Sequence, residues 1–315
     1  MKHWRKVLLG FVIIVGLTLV SNTPARLDYV PMNDANPDLT ALTDEPLEQL
    51  IPGTEKQVVW HAGEERTEWS VVALHGFSAS RQETAPLAKL VADRLGANLF
   101  ETRFTAHGLK ENGLVGVTAE DWLDDVADAL TVGQMIGEKI IVIAVSNGAA
   151  LALSMLDHET MQSVDTLVMM SPNFAPADPK AMWITAPGGP LLLRLLTGDT
   201  HSWEPLNDLQ GRFWTTSYPS KTVIEVMRVV HRANEKIETV KAPRVQVFYS
   251  PNDSVISASA VLSGYEKIES AQKAIVSVLE TGSPSAHILA GDIISPDNTQ
   301  LMVEQIEAFI LHQDP

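Results

Sequence analysis

The chain has 315 residues, no cysteine and a formal net charge of −16, with 45% hydrophobic and 20% charged residues. This length allows one large or two modest domains, and the composition is that of an ordinary folded protein. The acidic excess argues against a nucleic-acid partner, because phosphate contacts require clustered lysine and arginine. Without cysteine, a disulfide framework, a thiol nucleophile and a cysteine-ligated zinc site are all excluded.

The chain begins with a basic segment, MKHWRK, followed by an entirely apolar run, VLLGFVIIVGLTLV, at residues 7–20. This order is typical of an export signal. As a helix the run would extend about 21 Å, which is shorter than the roughly 30 Å hydrocarbon core of a bilayer. A cleavage site is poorly defined, so residues 1–21 are predicted to be either a signal peptide or an N-terminal membrane anchor. In both cases we expect an extracytoplasmic protein, periplasmic or anchored in the inner membrane.

Residues 22–55 are rich in proline, aspartate and asparagine, which predicts a linker with one short helix near residues 39–50. In residues 56–76, KQVVWHAGEERTEWSVVALHG, two strand-like patterns flank the polar AGEER, and this arrangement predicts a β-hairpin. Its second strand contains the continuous apolar run SVVAL, as expected for a strand buried on both faces.

Strands and helices alternate through most of the remaining chain. Strands are predicted at 97–104, 139–145, 165–171, 244–250 and 274–280; helices are predicted at 83–96, 118–137, 147–157, 258–268 and 298–313. Thr118 is the expected N-cap of its helix. This alternation predicts an α/β fold with a mostly parallel sheet and helices on both faces. It is interrupted by residues 172–242, which contain several tryptophans and prolines and are predicted to be an insertion with an apolar helix-like stretch between core segments 56–171 and 243–315.

The segment IIVIAVSNGAAL, residues 140–151, places a serine where a buried strand ends and a helix begins. Ala144 lies two residues before Ser146 and Gly148 two residues after it. This is the context of a nucleophile elbow, G-x-S-x-G, whose tight turn requires small neighbours. Alanine replaces the first glycine, and its single methyl group is expected to fit. A serine in such a turn is otherwise a turn former or a helix cap, so its partners decide the assignment.

A nucleophilic serine needs a base and an orienting acid, which in this type of fold follow it in the order acid, then histidine. Asp253 follows a predicted strand in SPNDSVI, and His287 lies in a small-residue loop after the next strand. Each alone could be an ordinary loop residue, but together with Ser146 they predict a catalytic triad. The backbone amides of Phe77 and Asn147 are the predicted oxyanion donors.

Five segments, LHGFSAS, TRFTAHGL, VSNGAAL, SPNDSVI and SAHI, resemble those of α/β-hydrolases, in particular bacterial carboxylesterases and monoacylglycerol-lipase-like or lysophospholipase-like proteins. The resemblance covers about residues 55–312. It implies the same triad and oxyanion amides, and a cap at residues 172–242. Two departures are Ala144 at the elbow and TAHG where Gly-His-Gly is common. His75 and His107 are expected to be structural.

The expected activity is hydrolysis of carboxylic esters, either short or medium acyl esters or monoacyl lipids, through an acyl-enzyme on Ser146. Peptide, thioester and C–C bond hydrolysis on the same fold stay open, as does a non-catalytic binding protein. Dehalogenases and epoxide hydrolases are disfavoured because they carry aspartate at the nucleophile position. No cofactor is expected, and the nine histidines form no H-E-x-x-H metal motif. The expected partners are a small-molecule or lipid ester and, if residues 7–20 are retained, a membrane.

Overall fold

The computed structural model describes residues 26–29 and 38–312. Its strands are β1 (Gln57–Val59), β2 (Thr67–Leu74), β3 (Asn98–Glu101), β4 (Gly137–Val145), β5 (Val164–Met170), β6 (Thr200–Ser202), β7 (Ser217–Pro219), β8 (Arg244–Tyr249) and β9 (Lys273–Ser277). Seven of them form one sheet in the order β1-β3-β2-β4-β5-β8-β9, and β6 pairs with β7 separately. All pairings in the large sheet are parallel except β1 with β3. The predicted mostly parallel sheet is therefore confirmed.

The α-helices of the described residues are α1 (Leu39–Thr43), α2 (Leu87–Leu95), α3 (Ala119–Ile136), α4 (Asn147–Ser154), α5 (Gly189–Thr197), α6 (Asp208–Phe213), α7 (Thr222–Ile237), α8 (Ala258–Lys267) and α9 (Pro296–Leu311). Alternate residues of the sheet point to opposite faces. Val72 and Val142 pack in the layer of α3, α4 and α7, whereas Val71 and Ile141 pack in the layer of α2 and α9. Helices thus cover both faces, as predicted.

The predicted hairpin of β1 and β2 is wrong. β1 pairs with β3, with Val58 opposite Phe100, while β2 lies between β3 and β4. Both edges of β2 are occupied by parallel neighbours, so β1 cannot pair with β2 and instead joins the sheet at the outer edge of β3. The connection between β1 and β2 is held by the side chain of Asn98, which accepts the His61 N–H at 2.9 Å and donates to the Glu65 carbonyl at 2.7 Å.

The sequence predicted the capped start of α3 correctly and the start of α2 four residues too early. Thr118 caps α3 in a capping box, since its hydroxyl accepts the Asp121 N–H and the Asp121 carboxylate accepts the Thr118 N–H. α2 begins after Pro86 rather than at residue 83, because the preceding residues Arg81–Glu83 form a 3₁₀ turn. The helix ends at Gly96, which adopts φ 61°.

Residues 172–242 contain a 3₁₀ segment, Pro179–Thr185, followed in chain order by α5, β6, α6, β7 and α7. α7 packs against α4 in the main core, whereas the earlier elements cover the end of the sheet near Ser146. In the predicted linker, α1 and the 3₁₀ turn Leu47–Gln49 occur, and Leu42 and Leu50 are buried. No helix of the described ranges is long and apolar enough to span a membrane; the run at residues 7–20 lies outside those ranges.

Candidate active site

Ser146 occupies the junction between β4 and α4. Its backbone has φ 50° and ψ −114°, a strained conformation for a non-glycine residue. The Ser146 N–H donates to the Met170 carbonyl at 2.9 Å, and its own carbonyl accepts the Asn173 N–H at 3.2 Å. A Cβ on Gly148 would lie 2.5 Å from the His75 carbonyl oxygen, so this elbow position requires glycine. Ala144, which replaces the first glycine of the motif, lies at the end of β4 and is fully buried.

The structure brings Ser146, His287 and Asp253 together. His287 Nε2 lies 3.0 Å from Ser146 Oγ, and His287 Nδ1 lies 2.7 Å from Asp253 Oδ2. The Asp253 side chain is fully buried, and its Oδ1 accepts the N–H groups of Val255 at 2.8 Å and Ile256 at 3.0 Å. A carboxylate at Nδ1 favours the tautomer in which Nδ1–H donates and Nε2 accepts the serine proton.

The three side chains come from loops that follow three parallel strands of the same sheet: Ser146 follows β4, Asp253 follows β8 and His287 follows β9. Two contacts between loops fix the histidine. Ser171 Oγ donates to the His287 carbonyl at 2.7 Å, and the Ser254 N–H donates to the Ser285 carbonyl at 2.9 Å. The alternative acid in this region is Asp292, which is exposed and whose N–H bonds to the Ala85 carbonyl.

The two predicted oxyanion amides come from two different parts of the fold. Asn147 is the first residue of α4, so its N–H belongs to the turn that has no acceptor within the helix. Phe77 follows β2, the strand beside β4, and it lines the same cavity as Ser146. Amides at these positions can point at an oxygen that develops negative charge near Ser146.

The buried histidines His75 and His107 support the loop that carries Phe77. His75 Nε2 accepts the Phe104 N–H at 3.2 Å, and His107 Nε2 accepts the Ser78 N–H at 3.1 Å. Burial lowers the pKa of His75 to about 4 and that of His107 well below its ordinary value. Both therefore stay neutral near pH 7, in agreement with the structural roles expected for them.

Glu83 is a residue that sequence reasoning did not single out. Its carboxylate is almost fully buried, lines the same cavity as Ser146 and His287, and accepts the Gly76 N–H at 2.6 Å. Burial raises its pKa to about 7, although the Gly76 hydrogen bond and the nearby His287 lower it. Nothing in RQET marks this glutamate, because only the 3₁₀ turn after Ser80 folds it back onto Gly76.

A cavity of about 660 Å³ opens at Ser146 and His287. Residues 172–242 supply many of the other lining side chains; the large apolar and aromatic ones are Leu193, Trp203, Leu206, Trp214, Tyr218, Val223, Val226 and Met227, and polar ones include His201, Glu204 and Gln210. Trp203 and Trp214 therefore face the cavity, whereas Trp183 is 67% exposed. Within the described residues, no group of three or more histidine, aspartate or glutamate side chains could hold a metal ion.

Residues 65–281 match the family model described as serine aminopeptidase, S33. Similar solved structures include a metagenome-derived lipolytic enzyme of the LipS and LipT pair, with TM-score 0.66, 19% identity, and coverage of 84% of this chain and 100% of that one. The monoacylglycerol lipase of Paleococcus ferrophilus has TM-score 0.60 and 14% identity, with coverage of 82% of this chain and 98% of that one. A soluble variant of monoglyceride lipase from Saccharomyces cerevisiae, bound to a substrate analogue, has TM-score 0.57 and 13% identity, with coverage of 81% of this chain and 91% of that one.

No curated protein sequence matches the chain. At identities of 19% and below, the solved structures show a shared fold, the α/β-hydrolase fold that the motifs predicted. The family model covers more than half of the chain, including Ser146 and Asp253, and ends six residues before His287. The chain therefore belongs to the S33 serine aminopeptidase family of hydrolases and has the α/β-hydrolase fold.

Proposed function

We propose that the protein hydrolyses carboxylic esters through an acyl-enzyme on Ser146. The observation that carries this proposal is the chain of two contacts from Ser146 Oγ to His287 Nε2, 3.0 Å, and from His287 Nδ1 to Asp253 Oδ2, 2.7 Å. Both distances lie within hydrogen-bond reach of a nucleophile, its base and the acid that orients the base.

In the first half of the reaction, His287 Nε2 removes the proton from Ser146 Oγ as the oxygen attacks the ester carbonyl carbon. The resulting oxyanion is stabilised by the N–H groups of Phe77 and Asn147. Asp253 stabilises the imidazolium without taking its proton. The intermediate then expels the alcohol, which receives the proton from His287 Nε2.

In the second half, a water molecule takes the place of the alcohol. His287 removes a proton from this water as it attacks the acyl carbon, and the proton returns to Ser146 Oγ when the ester bond to serine breaks. The products are a carboxylic acid and the regenerated enzyme. No step needs a metal or a cofactor.

The acyl group of a short or medium ester, or of a monoacyl lipid, suits the cavity. Trp203, Trp214 and Met227 offer apolar surface in the cavity that Ser146 also lines, and each CH₂ buried there adds at most ~0.8 kcal/mol. A panel of p-nitrophenyl esters from acetyl to palmitoyl tests this proposal. We expect kcat/KM to rise from acetyl to at least hexanoyl; a flat or falling profile would contradict the acyl-binding role of the cavity.

Amide hydrolysis is the second candidate, and it is favoured by the description of the matching family model. The same ester panel extended with p-nitroanilides of matched acyl and aminoacyl groups separates the two activities. A kcat/KM for an aminoacyl anilide above that of every ester would assign a peptidase in place of an esterase.

We also propose that the protein acts outside the cytoplasm, at the membrane. This proposal is supported by the basic segment and apolar run at the start of the chain. Fractionation of cells that produce the full-length chain should recover it in the membrane or the periplasm. Recovery from the cytoplasm alone would refute the location and leave the chemistry untouched.

A further inference from the structure

We infer that one surface of the cap faces the same lipid bilayer that residues 7–20 enter. This surface, called here the cap surface, consists of Trp183, Leu191, Leu192, Leu195 and Leu196. The inference rests on the membrane location proposed above and adds an orientation to it: the cap, rather than another face of the hydrolase, lies against the lipid.

The cap surface is apolar and open to solvent. Leu195 and Leu196 are 74% and 75% exposed, and Trp183 is 67% exposed. The four exposed leucines of α5 follow the spacing i, i+1, i+4, i+5, which places them on one side of the helix. The segment with Trp183 packs closely on α5, since a Cβ on Gly189 would lie 2.4 Å from the Trp183 carbonyl oxygen. Contiguous exposed patches of this kind mark protein or membrane contact sites.

The opposite side of α5 belongs to the catalytic cavity. Leu193 and Thr197 line that cavity together with Ser146 and His287, as does Ala181 from the preceding 3₁₀ segment. One short stretch of chain therefore separates the cap surface from the proposed acyl-binding space. An acyl lipid leaving a bilayer against the cap surface would have only this layer of the cap to pass.

The chain that leads from residues 7–20 is fixed beside the same segment. Arg26 and Leu27 line a cleft together with Met182, Thr185 and Ala186 of the cap. The Leu27 carbonyl accepts the Arg232 Nη1–H at 3.1 Å. From residue 20 to residue 26 an extended chain spans at most about 21 Å. Residue 26, six residues after the apolar run, therefore lies beside the cap.

Local charge also favours a bilayer over other occupants of the cap surface. Residues 179–202 contain one lysine, one arginine and one aspartate, in a chain with a net charge of −16. The acidic groups that anionic headgroups would repel are therefore concentrated elsewhere. A second copy of the chain or another protein could cover leucines equally well, but neither would explain why Arg26 and Leu27 are held at this edge.

The absence of cysteine allows a clean test on the full-length chain. Leu195→Cys carries an NBD fluorophore on the cap surface, and the matched control, Leu301→Cys, carries it on α9, where Leu301 is 56% exposed. Each protein is reconstituted into vesicles of phosphatidylethanolamine and phosphatidylglycerol that contain a doxyl-lipid quencher. We expect a blue-shifted, quenched label at position 195 and an unquenched label at position 301.

Three results would overturn the inference: an unquenched label at 195 with a water-like emission, a blue-shifted but unquenched label that indicates a protein partner, or equal quenching at both positions. Turnover of a soluble p-nitrophenyl ester by the same samples separates the two proposals. Normal turnover with an unquenched 195 label refutes only the orientation, whereas absent turnover with a quenched label refutes only the esterase.

A second arm uses Leu195→Gln combined with Leu196→Gln, with Leu279→Gln combined with Leu301→Gln as the control. Hydrolysis of an ester embedded in vesicles should fall about tenfold in the cap variant, the change expected if about 1.4 kcal/mol of apolar contact with lipid is lost. Hydrolysis of the soluble ester should not change. Equal rates for both double variants on the embedded ester would contradict the inference.

Discussion

Ser146 adopts a backbone conformation that costs a non-glycine residue on the order of 1–3 kcal/mol. The surrounding hydrogen bonds enforce it, because the N–H is held by Met170 and the carbonyl by Asn173. The side chain is thereby directed away from both β4 and α4 towards His287, with which Oγ is within hydrogen-bond distance. The strained backbone thus holds Oγ beside the imidazole that the proposed mechanism uses as its base.

Asp253 should matter for rate far more than for stability. In Asp253→Asn the amide oxygen can still accept the Val255 and Ile256 N–H groups, but the side chain no longer holds His287 in the tautomer that leaves Nε2 free. We expect kcat for a soluble ester to fall by about 10⁴-fold, as when this acid is neutralised in other serine hydrolases, with a thermal midpoint close to wild type.

Asp292→Asn is the matched control, since Asp292 is an exposed acid close to His287 in the sequence. Its kcat should equal that of wild type. A large loss of rate in Asp292→Asn together with near-normal Asp253→Asn would transfer the orienting role to the other acid.

At the scale of elements, the start of α4 is locked against the loop after β2. A Cβ on Gly148 would meet the carbonyl oxygens of both Leu74 and His75, at 2.6 and 2.5 Å. Gly148→Ala should therefore push α4 away, costing about 1–3 kcal/mol of unfolding free energy, and lower kcat/KM because Ser146 and Asn147 move with the helix. Urea unfolding and ester kinetics measure the two effects.

Gly211→Ala in α6 provides the comparison, because a Cβ there would approach only the Pro205 side chain, at 3.1 Å. Its unfolding free energy and kcat/KM should stay near wild type. If Gly148→Ala behaved like Gly211→Ala in both measurements, the close approach of α4 to the loop after β2 would determine neither the stability nor the activity of the protein.

The elements also show what sequence patterns can and cannot predict. β4, α3 and α9 were predicted from apolar runs, helical spacing and caps, because these signals lie within each segment. The partner of β1 was mispredicted, because pairing depends on which sheet edge remains free after β2, β3 and β4 have assembled.

The site residues also divide into those that local sequence patterns indicate and those that depend on contacts in the folded chain. Ser146, Asp253 and His287 could be named because their residue types, order and positions after strands form a recognisable pattern. Glu83 could not be named, because its contact with Gly76 depends on a turn in three dimensions and no motif surrounds it.

For the whole molecule, Glu83 links stability to pH. Its pKa is raised from 4.5 to about 7 by burial, so the folded state holds a proton that the unfolded state releases. The stabilising contribution is complete below pH of about 4.5 and is lost as the pH rises through about 7; at most it amounts to about 3 kcal/mol.

Glu83→Gln isolates this contribution, because an amide oxygen can still accept the Gly76 N–H but cannot ionise. Relative to the variant, the wild type should lose unfolding free energy steadily from about pH 4.5 to pH 8 in urea titrations. A difference between the two proteins that does not vary with pH would show that Glu83 is not the linked group.

The assembled molecule places one buried acid–histidine–serine chain at the end of its sheet and an apolar cavity above it. The central claim is that Ser146 forms the acyl-enzyme. The most direct test is turnover of a p-nitrophenyl ester by rigorously purified Ser146→Ala, with mass spectrometry of wild type after reaction with a fluorophosphonate. We predict a rate lower by about 10⁶-fold, an unchanged thermal midpoint, and the phosphonate on Ser146. Near-normal turnover by Ser146→Ala, or a label on another residue, would contradict the account.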